Sequence, residues 1–333
     1  MRREAPAMSM NNRLRALFGV LAAIVLASGV SACGGGNGNG SSTSTTAGLI
    51  QSNPDNGNVT LTVGSKNFTE EYILGEIYAQ ALQAAGYNVK KQLNLGSETI
   101  ALKALKAGQI SGYPEYTSTA LESFFGAKPQ DVPSDAQGAY QMAKTDFEKE
   151  NLTSFTPAPY SSANAVGTLT STAKKLGVTT ISDLNGKSQN LSLYGSPQCR
   201  ERIDCLLGLQ QDYGLKFKSF TPVDIGLRYT VLDKGQADLS ILFTSDAQLA
   251  GAGAKKYKLL TDDKHILTPG YPMFVTSQDV VDKAGPDMEK TITEVQQNLD
   301  LKTIRELNAR VDLDKQQPSA VAHEYLKAAG LVQ

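Results

Sequence analysis

Histidine is nearly absent from this chain of 333 residues: there are two, His265 and His323. Neither stands in a metal-ligand spacing or beside a candidate nucleophile. A G-x-S-x-G turn, a P-loop and a dinucleotide fingerprint in strand-to-helix context are also missing. No cofactor, no metal and no enzymatic activity are therefore expected. Acidic residues are scattered, which leaves a glycosidase-like carboxylate pair open without pointing to one. An excess of one charge is lacking too, since 32 basic and 33 acidic residues give a net charge of −1. No block of like charge marks a nucleic-acid surface. No short repeat of fixed period is visible, which argues against a solenoid or propeller.

Long apolar runs are equally scarce. The main one, residues 17–30, is too short and too closely followed by glycine to span a bilayer. Arg2, Arg3, Arg13 and Arg15 precede it and Val30-Ser31-Ala32-Cys33 ends it, an arrangement that resembles a bacterial lipobox. Residues 1–33 are thus expected to be an export signal, removed so that Cys33 is lipidated and the protein is held on the outer face of the cell membrane. The alternative is an ordinary secretory signal with an incidental cysteine. A start at Met8 or Met10 instead of Met1 leaves the reading unchanged. Residues 34–58 are rich in Gly, Asn, Ser and Thr and read as a flexible linker, reaching on the order of 25–30 Å.

Of three cysteines, Cys199 and Cys205 remain after Cys33, an even pair in an exported chain. A disulfide is predicted, closing a short loop and contributing about 2 kcal/mol on the chain-entropy argument. A metal or redox pair is the alternative. The lack of a nearby histidine and of C-x-x-C spacing speaks against it.

What is present is a β-α-β rhythm. Residues 59–63 alternate and are β-branched, and the strand stops at Gly64-Ser65. A helix follows, with Thr69 as N-cap, Glu70 and Glu71 in its first turn, and an apolar stripe of Ile73, Leu74, Ile77, Ala81, Leu82 and Ala85. Lys66, Asn67 and Phe68 then lie in a strand-to-helix loop, where α/β proteins gather ligands. Residues 88–95 predict a strand, 99–107 a helix, and Ile110 the start of a strand running into Tyr113-Pro114. The Pro-punctuated segment 156–160 predicts a crossover into a second series of strands at 165–169, 191–194, 239–243 and 258–260, with helices near 182–184, 204–213 and 225–234. Pro269-Gly270-Tyr271-Pro272 predicts the return, and the tail from Pro286 reads as helices covering the first lobe. The expected domains are 59–160 plus 272–333 for lobe 1 and 161–271 for lobe 2, each a mainly parallel α/β sheet flanked by helices.

Three strings carry a family resemblance: Val63-Gly64-Ser65-Lys66-Asn67-Phe68-Thr69-Glu70, Tyr113-Pro114-Glu115-Tyr116-Thr117 and Gly235-Gln236-Ala237-Asp238. From about Val59 onward the chain resembles the substrate-binding proteins of osmoprotectant ABC importers, the glycine betaine, choline and carnitine binders. The resemblance implies a two-lobed, type II periplasmic-binding-protein-like clamp that closes on a compatible solute. It implies partners as well: a membrane permease with a cytoplasmic ATPase, served by a monomeric binding protein. A trimethylammonium group donates no conventional hydrogen bond, so such a ligand is held by aromatic faces and by exclusion of water.

Carried over by position, the resemblance makes Tyr116 an aromatic wall, Thr119 a hydroxyl donor one turn later and Lys66 a carboxylate partner. From the second lobe it adds Asn164, Phe243 and Tyr271 at aromatic positions and Arg202 against the carboxylate. Asn164 and Phe243 stand where tyrosine is usual, and Cys205 replaces a glycine. Arg200 is therefore a rival to Arg202. Without the resemblance Tyr116 reads as a packed turn tyrosine and Lys66 as a solvated loop lysine. A ligand sensor, or an exported enzyme using the same cleft, are the alternative functions.

Overall fold

The computed structural model describes residues 49–251 and 253–333, so the expected signal, Cys33 and most of the expected linker lie outside the described residues. No helix among the described residues is long and apolar enough to cross a membrane.

Two five-stranded mixed sheets organise the chain, in an α/β architecture of type II. The first is built from β1 (Thr60–Gly64), α1 (Thr69–Ala84), β2 (Asn88–Gln92), α2 (Glu98–Lys106), β3 (Gly112–Tyr116), the single turn α3 (Thr117–Thr119), α4 (Ala136–Glu148) and β4 (Leu152–Ser154). The second follows with β5 (Asn164–Leu169), α5 (Thr170–Leu176), β6 (Ser192–Gly195), α6 (Leu206–Gln211), β7 (Ser219–Pro222), α7 (Arg228–Asp233), β8 (Leu239–Phe243), α8 (Gly253–Lys256) and β9 (Tyr257–Leu259). The chain then returns through β10 (Pro272–Ser277) to α9 (Gln278–Ala284), α10 (Pro286–Gln296), α11 (Leu301–Asp312) and α12 (Pro318–Ala328).

Strand order is β2-β1-β3-β10-β4 in the first sheet and β7-β6-β8-β5-β9 in the second. Each sheet is parallel except for one strand: β10 runs against β3 and β4, and β5 against β8 and β9. These are the strands on which the chain enters a sheet from the other one. Ser162 and Gly270 pair in an isolated antiparallel bridge between the two crossings, which ties the connecting segments together.

Helix α1 is buried nearly all round, as expected of a helix clamped between a sheet and other helices. The whole apolar stripe read from the sequence, Ile73 to Ala85, is buried, and it packs with α10, α11 and α12. Thr69 is not its N-cap. Phe68 takes that position without a side-chain cap, and the Thr69 hydroxyl instead donates to Asp312 Oδ1 at 2.5 Å, joining α1 to α11. The opposite face of the first sheet is covered by α2 and α4, and the second sheet carries its own two apolar clusters.

The linker was expected to run to Asn58, but the chain is bound to the body well before that. The Ile50 N–H donates to the Leu331 carbonyl, Asn53 N–H to Ala85 O, and the buried Asn56 gives its amide to Ala85 O at 2.8 Å. The polar residues that made this stretch look unstructured are the ones that hold it.

Candidate functional site

The loop after β1, the turn after β3, the amino end of the antiparallel strand β5 and the carboxyl end of β8 meet in a cleft between the two sheets, the place where open α/β sheets collect ligands. Contacts cross this cleft. Arg202 Nη1 donates to Glu98 Oε1 at 3.1 Å, Thr268 donates to Glu122, Arg305 donates to the Thr244 carbonyl, and Asn308 Nδ2 to Ser245 O at 3.1 Å. The two halves therefore stand closed upon each other.

Three rings line the cleft: Phe68, Tyr116 and Phe243. Phe68 and Tyr116 stack with centroids 6.3 Å apart, and Phe68 lies 5.4 Å from Phe243. Tyr116 ends β3, and its hydroxyl donates to Glu70 Oε1 at 2.7 Å, where Tyr160 also donates. That pins the ring. The chain's own cations use the faces of all three rings, with Lys66 Nζ 4.7 Å from the Tyr116 centroid and 6.0 Å from that of Phe68, and the Arg228 guanidinium 3.9 Å from that of Phe243. These are electron-rich faces suited to positive charge.

Lys66 lines the cleft but is no solvated loop lysine. It is buried, ion-paired with Glu115, and 3.6 Å from Glu71. Burial opposes its charge, yet Glu115 and Glu71 outweigh that and raise its pKa. Burial also pushes Glu71 up to about 8 against the attraction of Lys66. Glu115 itself accepts from the Tyr113 hydroxyl and the Tyr116 N–H, which locks the strand end that presents Tyr116.

Arg202 holds the opposite wall. Its Nε and Nη2 donate to both oxygens of Asp204 at 2.7 and 2.5 Å, Nη1 to Glu98 across the cleft, and Nη2 also to Thr119 Oγ1 at 3.3 Å. Burial lowers its pKa and Asp204 and Glu98 more than restore it, so the guanidinium stays charged. Thr119, in the turn that precedes a π-helical stretch at Ala120–Phe124, thus meets Arg202 in the cleft. Asn164 gives its amide to the Asp204 carboxylate and carbonyl at 3.0 and 3.1 Å, and so steadies the same wall.

The structure brings together Lys66, Tyr116, Thr119, Asn164, Arg202 and Phe243, all at the cleft surface. It does not bring in Tyr271. That side chain points away, donating to the Ser134 carbonyl at 3.0 Å, while its backbone N–H donates to Thr117 Oγ1. Being next to Pro272, where β10 pairs with β3, it is placed by the crossover rather than by the cleft. Arg200 also stays outside, exposed and set over the Phe220 ring at 5.1 Å. Sequence reasoning missed Phe68, Arg228, Asp204 and Glu98. The signal for Phe68 was available, an aromatic in a strand-to-helix loop, whereas Glu98 meets Arg202 only through the fold.

Residues 59–328 match the family described as the substrate binding domain of ABC-type glycine betaine transport systems. The chain belongs to this family. It is therefore the extracytoplasmic substrate-binding component of an ABC importer of the glycine betaine, choline and carnitine type, and works with a membrane permease. It is 31% identical over 292 residues to the glycine-betaine-binding protein of Pseudomonas aeruginosa, covering 84% of this chain and 89% of that one. It is 29% identical over 273 residues to an ergothioneine transport permease/ergothioneine binding protein of Helicobacter pylori, covering 81% of this chain and 48% of that longer protein. A crystal structure described as a glycine betaine/carnitine/choline ABC transporter shares the fold with a TM-score of 0.64 at 24% identity, covering 80% of this chain and 98% of that one.

Proposed function

We propose that the cleft captures a small solute with a quaternary ammonium head, in the class of glycine betaine, choline, carnitine or ergothioneine, and holds it by closure of the two lobes. The observation that carries this is the convergence of Phe68, Tyr116 and Phe243, each already facing one of the chain's own cations. A ligand cation gains the same attraction, roughly 0.5–2 kcal/mol per desolvated face. Thr119 and Asn164 serve the polar end of the solute, and Arg202 faces its carboxylate. Four contacts already engage four of the five N–H donors of Arg202, leaving one for the ligand. Lys66, neutralised by Glu115, serves to support the Tyr116 ring.

On this reading lobe 1 is 59–160 plus 272–333, lobe 2 is 161–271, and the hinges lie near 157–160 and 270–272. The protein acts as a monomer tethered through a lipid on Cys33. It captures and does not turn over its ligand: of two carboxyls that burial pushes up to about 8, Glu71 lies fully buried behind Lys66 and Glu122 is engaged by the Thr268 hydroxyl.

Calorimetric titration with glycine betaine, choline, carnitine and ergothioneine tests the assignment. Saturable heat with at least one is expected, and no heat with any would remove it. The Arg202 role further predicts a preference for betaine over choline. Equal affinities would remove Arg202 as a carboxylate partner while leaving the aromatic site in place.

A further inference from the structure

Cys199 and Cys205 form a disulfide six positions apart in sequence, with Cα atoms 5.2 Å apart. Arg202 is the midpoint of the ring this closes, and Asp204 lies inside it too. The ring thus contains the cation and the carboxylate that the second lobe presents at this wall of the cleft, and Cys205 itself lines the cleft. Both cysteines are buried in the apolar core of the second lobe.

Besides the disulfide, the segment is tied to its own lobe at Asp204, whose carboxylate and carbonyl accept from the Asn164 amide. Between the short turn Pro197–Arg200 and the start of α6 there is no helix or strand. The ring is bonded to itself, Cys205 N–H to the Arg202 carbonyl at 3.2 Å, and the Leu206 N–H points at Cys199 Sγ at 3.3 Å. It rests on α6 at Gly208, where an added Cβ would lie 1.8 Å from the Ile203 carbonyl oxygen. A flexible arginine side chain must be offered from a fixed backbone to meet Glu98 and Thr119 on the other lobe, because any looseness is subtracted from the binding free energy.

We propose that the disulfide is the positioning element of the solute site: it holds Arg202 where it meets both the first lobe and the ligand, so its reduction weakens capture while the lobes remain folded. This rests on the cleft being the solute site.

The test titrates glycine betaine, choline, carnitine and ergothioneine into three forms: the oxidised protein, the protein reduced with dithiothreitol, and Cys199→Ser/Cys205→Ser. Dithiothreitol takes the linkage into its own cyclic disulfide and leaves two cysteine thiols. Affinity for the best-bound solute is expected to fall about tenfold or more in the second and third forms, the worth of a charge-assisted hydrogen bond. Glu98→Gln should weaken the oxidised protein but add little after reduction, since both changes act on one guanidinium. A disulfide that only stabilises the fold would lower the thermal midpoint, leave affinity unchanged and combine additively with Glu98→Gln, and that result overturns the proposal. If the serine pair does not fold, the reduced wild type, followed by far-ultraviolet circular dichroism below its thermal midpoint, carries the test, and unfolding on reduction overturns it as well. No heat from any of the four solutes with the oxidised protein sinks the solute-site reading itself. Unchanged heat after reduction sinks only the positioning role.

Discussion

At Glu71 burial has a large electrical consequence. Its carboxyl is fully buried, accepts the Lys66 N–H at 2.9 Å, and is pushed up to about 8 by burial against the pull of Lys66. A carboxyl raised in the folded state binds its proton more tightly there than when unfolded, so stability is full below the ordinary carboxylate pKa and declines as pH rises toward about 8. The slope from this one group is on the order of 1 kcal/mol per pH unit. Glu71→Gln, which mimics the protonated form, should flatten the fall in urea-unfolding free energy across that window. An unchanged slope would show that Glu71 ionises normally. The rings make a second residue-level prediction. Tyr116→Ala and Phe68→Ala should each weaken a quaternary-ammonium ligand about tenfold, the worth of one desolvated face. Tyr271→Ala should leave affinity within about twofold, because the ring is turned to Ser134 and not to the cleft. Titrating all three variants separates the wall from the crossover.

Among the elements, α6 and the segment before it approach closely at Gly208. Gly208→Ala would force the Ile203 carbonyl aside and is expected to cost about 1–3 kcal/mol, as overpacking does, measured by thermal or urea unfolding. A variant as stable as wild type would mean the ring is free to move off the helix. Elements were legible in the sequence where periodicity and burial agree. The α1 stripe, β8 at Leu239–Phe243 and the short strand into Tyr113-Pro114 fall close to where they were expected. Strand β7 was not seen, because Ser219–Pro222 is a short edge strand with no fully buried position and ends in proline, so no alternation marks it. The helix expected near 182–184 is a single tight turn, too short for a period to be read. In the site, Lys66, Tyr116 and Phe243 were readable through the family resemblance, which places them at or just after strand ends. The partners that set their charge state were not: Glu115 and Glu71 sit 49 and 5 positions from Lys66, and only the sheet brings all three together.

On the scale of the whole molecule, closure is supported by contacts that need no ligand. Arg305 on α11 donates twice to the Thr244 carbonyl at 3.1 and 2.5 Å, and Asn308 bridges Glu70 and the Ser245 carbonyl. Such contacts set how often the free protein visits the closed state, and apparent affinity scales with that population. Arg305→Ala should enlarge the ligand-free radius of gyration in small-angle scattering and lower apparent affinity by up to about tenfold, while the saturated protein scatters as wild type does. Identical scattering of the free variant and wild type would remove Arg305 from control of closure. The most direct test of the central claim is calorimetric titration of the purified protein with glycine betaine, choline, carnitine and ergothioneine, repeated with Tyr116→Ala. The account predicts saturable binding of at least one solute by the wild type and a loss of about tenfold in the variant. Absence of binding to all four, or unaltered affinity in Tyr116→Ala, would contradict it.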